Sequence, residues 1–186
     1  MTIPPSPLRR SHASQVPKYL VRLLALAVVY YAMVRVGVRF ATIHGAISPM
    51  WPPSGVALAA LLWGGLRFWP AVFAGGLVSN LELGLSWHAA VVVALSGTVE
   101  PLVGVWLTRR VVPGLMKAGR SRDFFAFLFV AALPAALLGA LVGTGAVMLL
   151  GRMQRADWAL SYVTWALGYW MGIVTVAPLI LAWSVG

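Results

Sequence analysis

Glu100 is the side chain with the clearest capacity for chemistry, because it lies inside an otherwise uncharged run from Ala89 to Thr108. A carboxyl group in such surroundings needs a partner or a proton, and an ionisable residue there is a functional-site hypothesis by default. Pro101 beside it has no N–H to donate, which leaves the Gly97 carbonyl free for a ligand, water or side chain. Asn80 on the preceding apolar run and Tyr169 on the last are polar groups expected at comparable depth. For these two, hydrogen bonding between helices competes with ligand contact. Arg67, flanked by Trp63 and Trp69, could hold a lipid phosphate or stack on an indole face; simple anchoring at the membrane surface explains it more cheaply.

Other chemistries lack their residues. With no Cys there is no thiol catalyst, disulfide or cysteine metal site. His44 and His88 fall in or near loops far apart in sequence, and no metal-ligand spacing occurs, so no metal or cofactor is expected. Ser79, Ser96 and Thr98 have no base nearby in sequence, which leaves nucleophilic catalysis unsupported.

The elements that must position these groups are set by a lipid solvent. The chain is 61% hydrophobic, with four acidic residues (Glu82, Glu100, Asp123, Asp157) and a mean hydropathy of +0.88. Apolar runs bounded by charge, Pro and Gly predict helices at 19–38, 54–66, 70–86, 88–108, 124–150 and 158–184. The expected fold is all-α, a polytopic transmembrane helix bundle of about six spans. The second run is short: it is tilted, broken or re-entrant around Pro52 and Pro53, or else an ordinary helix begun by proline. Counting 1.5 Å per residue puts Glu100 about 18 Å from one end of its helix and Asn80 about 15 Å from the opposite end, hence at similar levels.

The net charge of +10 is not a nucleic-acid signature, since its Lys and Arg fall mainly between apolar runs. Arg9, Arg10, Lys18, Arg22, Arg67, Arg109, Arg110, Lys117, Arg120 and Arg122 are expected on one side. Only Arg35, Arg39, Arg152 and Arg155 fall on the other. The positive-inside rule therefore places both termini in the cytoplasm. Residues 1–18, rich in Pro, Ser and basic groups, read as a disordered cytoplasmic tail before an integral-membrane domain of residues 19–186. A cleaved signal peptide fits less well, because the apolar run reaches about Val34. Trp51, Trp69, Trp87, Trp158 and Trp183 are placed near interfaces, as an aromatic belt requires, and the Trp51 to Gly55 segment also joins Asn80 and Glu100 as a sensing candidate. In the fifth run Ala135, Gly139 and Gly143 recur every four residues, and Gly168 and Gly172 repeat this spacing in the sixth. Such faces let backbones approach, serving internal packing or a homodimer.

Read in order, several fragments resemble the bacterial membrane-associated sensor domain of the first type (MASE). They are Trp51-Pro52-Pro53-Ser54-Gly55-Val56-Ala57-Leu58, Gly65-Leu66-Arg67-Phe68-Trp69-Pro70, and Gly75 or Gly76 followed by Ser79-Asn80. Val99-Glu100-Pro101-Leu102-Val103-Gly104-Val105-Trp106-Leu107 with Arg109-Arg110 continues the pattern, as does Trp165-Ala166-Leu167-Gly168 through Gly172 to Pro178-Leu179. Each fragment alone is weak; together they span about residues 20–184. The resemblance implies a non-catalytic input module of the bacterial inner membrane, surrounded by membrane lipid. It also implies a cytoplasmic output partner, a histidine kinase or diguanylate cyclase. Family members commonly carry an acidic residue where this chain has Tyr169, which puts any role for that acid in doubt. The chain ends after the sixth run, where an output domain would attach. A competing reading is the substrate-binding subunit of a vitamin uptake system, which also suits midplane polar groups.

Overall fold

The computed structural model describes residues 7–39, 50–113 and 121–183, with side chains from Val16 onward. Six principal helices stand close to where the apolar runs place them: α1 (Pro7–Arg39), α2 (Pro52–Gly64), α3 (Trp69–Glu82), α4 (Trp87–Val111), α5 (Ser121–Leu149) and α6 (Trp158–Trp183). No strand occurs among the described residues. Helical backbone extends back to Pro7, ahead of the expected start at Tyr19. His44, Lys117 and Arg120 lie outside the described residues.

Among the described residues, α1, α4, α5 and α6 are the helices long and apolar enough to cross a membrane, against about six expected spans. At 13 and 14 residues, α2 and α3 reach about 20 Å, short of a hydrocarbon core of about 30 Å. The short second helix is unbroken. Pro52 and Pro53 fill its first positions, where a missing N–H costs nothing, and Pro70 does the same for α3.

Packing explains how so short a helix is tolerated. The helices form a closed ring in the order α1, α3, α4, α5, α6, α2, and α2 also leans inward onto α4. Residues Pro53 to Ala59 are buried without interruption, so the first two turns of α2 are covered on every side. A helix apolar all round belongs inside, and this one is enclosed by protein rather than lipid.

Its closest neighbour is α6. A Cβ on Gly172 would run into the Trp51 carbonyl, and one on Gly55 would meet the Gly172 carbonyl and the Val176 side chain. Backbone therefore lies on backbone, which lengthens the van der Waals contact where lipid offers no hydrophobic drive. The Trp51 N–H donates to the Gly168 carbonyl at 2.9 Å, fastening the entry of α2 to the middle of α6.

Three other features fix the ring. Between Phe127 and Ala132, α5 widens into a π-helical stretch. Pro134, just beyond, cannot bond to the Val130 carbonyl and crowds it, which accounts for the widened turn. Trp170 of α6 uses this stretch, donating its indole N–H to the Leu128 carbonyl at 3.0 Å. At one end of the bundle, Tyr31 donates to Glu82 at 2.6 Å and Arg35 lies 3.5 Å from the same oxygen, tying α1 to α3.

Gly172→Ala is expected to destabilise the purified protein by about 1–3 kcal/mol, because rigid backbone must move to admit the methyl group. Gly145→Ala, where a Cβ meets nothing within 4 Å, should not destabilise and should raise stability by up to about 1 kcal/mol through helix propensity. Unfolding in detergent measures both.

Candidate functional site: a buried carboxyl beneath an aromatic cavity

Glu100 is 1% exposed and occupies the centre of the ring. Ser54, at the start of α2, donates its hydroxyl to Glu100 Oε2 at 2.8 Å. Oε1 is buried with no hydrogen-bond partner among the described residues. Gly139 on α5 makes the room: any side chain there would collide with the Glu100 Cβ. Gly143, one turn further, lies against the Trp165 ring. The three positions spaced by four thus put α5 against α4 and α6. Pro101 is buried in the interior of α4 and withholds its bond from the Gly97 carbonyl.

Separated from this carboxyl by Tyr30 and Tyr169 lies a cavity of about 370 Å³, whose lining does not include Glu100 itself. Tyr30, Gly97 and Tyr169 form its deep end, and Trp51 and Trp165 line its walls. Asn80, Leu85 and Arg152 stand nearer its mouth, at the end of the bundle that carries the Arg35–Glu82 pair. Tyr30 and Tyr169 are each 6% exposed and within electrostatic reach of Glu100. Neither hydroxyl is hydrogen-bonded among the described residues. The lining is mostly aromatic and aliphatic with a few convergent polar groups, the usual composition of a small-molecule site.

Asn80 and Glu100 do not share a level. Gly76 faces Ala94 across the α3–α4 contact. Asn80 lies one turn above that pair and Glu100 nearly two turns below, an axial separation of about 15 Å at 1.5 Å per residue. The expected midplane pairing fails because α3 ends at Glu82, leaving Asn80 in its last turn. There Asn80 donates its amide to the Gly76 carbonyl at 2.8 Å while lining the cavity. Tyr169 does approach Glu100. Trp51, expected both among the interfacial tryptophans and as a sensing candidate, packs on Gly37 and lines the cavity.

Arg67 stands apart from all of these, at the other end of the bundle. Its guanidinium lies over Tyr19 and Phe68, at 5.8 and 5.4 Å from the ring centroids, rather than over either flanking indole. Pro178 lies within α6 and Gly168 supplies the carbonyl that receives Trp51.

Ser54, Tyr30, Trp165 and Arg152 carry no individual signal in the sequence. Ser54 sits in the Pro-Pro-Ser-Gly fragment, yet nothing local links it to Glu100, 46 residues away. Tyr30 and Tyr31 are adjacent, and only packing shows that one faces the core while the other reaches Glu82.

An all-helical membrane-associated module that encloses a cavity next to a buried carboxyl is the architecture of an embedded recognition domain. The MASE1 family model matches residues 22–185. The chain belongs to the MASE1 family, a membrane-associated sensory domain that is not itself catalytic. No curated protein and no solved structure matches it.

Ser54→Ala should cost about 1–3 kcal/mol of stability by stranding Glu100 Oε2. Combined with Glu100→Met, which removes the acceptor, the same change should cost much less than it does alone. A double-mutant cycle on detergent unfolding reads the coupling directly. Additive effects would show that the bond contributes nothing.

Proposed function

We propose that the domain senses a small ligand entering the aromatic cavity and passes the signal to a cytoplasmic output domain, a histidine kinase or diguanylate cyclase. The observation that carries this reading is the buried, unpartnered Glu100 Oε1, within electrostatic reach of Tyr30 and Tyr169, which line the cavity. Groups left unsatisfied in a packed interior are the ones a ligand or a proton can satisfy differently in two states.

The cavity wall is also the coupling element. Trp51 touches the cavity with its ring and α6 with its N–H. Ser54, a turn later, holds Glu100. A ligand that displaces Trp51 or competes for Glu100 shifts α2, and α2 cannot shift without α6 because Gly55 and Gly172 leave no slack. Signalling of about 5- to 150-fold needs a coupling of about 1–3 kcal/mol. One buried hydrogen bond supplies about 0.5–3 kcal/mol, which is the same order.

The basic residues support a sidedness. Arg22 and Arg67 gather at one end of the bundle, where α4 also closes with Arg109 and Arg110. In our reading that end faces the cytoplasm of a bacterial inner membrane, with both termini inside and the cavity opening outward. The far end of α6 is then placed to drive an output domain. The cavity would equally suit a solute-binding transport subunit, and membership in a sensory family is what favours the sensor.

Fused to its output domain, Glu100→Gln should insert normally yet change the signal response, as should Tyr169→Phe. An unchanged response from both, measured as kinase or cyclase output, would overturn the site. Reporter fusions after Pro113 and after Gly151 should give cytoplasmic and external signals respectively; the reverse pattern would invert the proposed orientation.

A further inference from the structure

A second concave site lies at the opposite end of the bundle from the cavity, and nothing in the sensing scheme uses it. A cleft of about 450 Å³ runs between α1 and α2. Its floor is made by small or apolar groups, Ala25 and Leu26 on α1 and Ala60 on α2, and its rim by Arg22, Trp63 and Arg67. Two guanidinium groups from different elements therefore flank one apolar trough, with no carboxylate in the lining. The only ion pair among the described side chains is Arg35–Glu82, so neither arginine has an acidic partner there.

Arg67 is held ready rather than free. Tyr19 donates its hydroxyl to the Arg67 carbonyl at 2.8 Å, fixing the loop, while the Tyr19 and Phe68 rings face the guanidinium. Such prior ordering cuts the entropy lost when an anion is bound, and a planar guanidinium matches phosphate oxygens in pairs. Trp63 is 68% exposed at the edge of the cleft, as an indole at the level of lipid headgroups would be.

We propose that this cleft is a binding site for one anionic phospholipid of the surrounding leaflet. Its phosphate bridges Arg22 and Arg67, and the start of an acyl chain lies in the trough over Ala25 and Ala60. Charge complementarity selects the anion, and the apolar floor selects a lipid over a soluble phosphate. The lipid then clamps α1 to α2, the one adjacent pair in the ring with a thin contact.

The test titrates the purified domain with phosphatidylglycerol and with phosphatidylcholine of the same chains, reading bound lipid by native mass spectrometry. The wild type should prefer phosphatidylglycerol by at least about tenfold, because phosphatidylcholine has the same phosphodiester but adds a choline cation that two guanidinium groups repel. Arg22→Ala with Arg67→Ala should abolish that preference. Arg109→Ala with Arg110→Ala removes equal charge from the same end and should preserve it. Ala60→Trp fills the trough with both arginines kept, and should also abolish it. Preference surviving in the first pair, or lost equally in the second, would overturn the site in favour of general surface charge. Preference surviving Ala60→Trp, or full competition by glycerol phosphate at equal concentration, would overturn the lipid as occupant.

Discussion

A carboxyl group placed among helices in lipid must have its oxygens met from within the protein, because no water or counter-ion is close at hand. Glu100 imposes this demand on the rest of the bundle. Ser54 answers one oxygen, which requires the first turn of α2 to reach the bundle centre. Gly139 must then lack a side chain, since Glu100 occupies that space. α2, drawn inside, must be short and apolar on every face, and the outer helices must close around it.

Once α2 is central, the two ends of the bundle become mechanically related. Trp51 at one end of α2 forms part of the cavity wall and is bonded to α6. Gly64 and Arg67 at the other end border the arginine cleft. A rigid helix of about 20 Å joins them, packed so closely on α6 that the two move together or not at all. The proposed recognition site on one side and the proposed lipid site on the other thus border the same element. The fold needs no long-range pathway beyond that helix.

Much of this was legible in the chain, and the limits have physical causes. Lipid solubility dictates long apolar runs, so helix positions and the all-α class follow from hydropathy alone. Glu100 announces itself because an isolated charge in such a run is costly. The spacing of Gly139 and Gly143 marks a face for close packing, but not what it packs on. The Asn80 level was misplaced because counting from the opposite end assumes a helix of full membrane thickness, whereas α3 runs only from Trp69 to Glu82.

By itself, then, the sequence determined the solvent, the helices, the family pattern and the one residue whose burial demands an answer. These depend on local composition and on spacing along the chain. Only the tertiary structure decided that the first two turns of the short second helix are buried among its neighbours. It likewise decided that Ser54 is the partner of Glu100, that Tyr30 joins Tyr169 at the cavity, and that Arg67 belongs with Arg22. Each of these is a meeting of residues from separate helices. The order of helices around a ring is set by which surfaces fit, a property that no single segment carries.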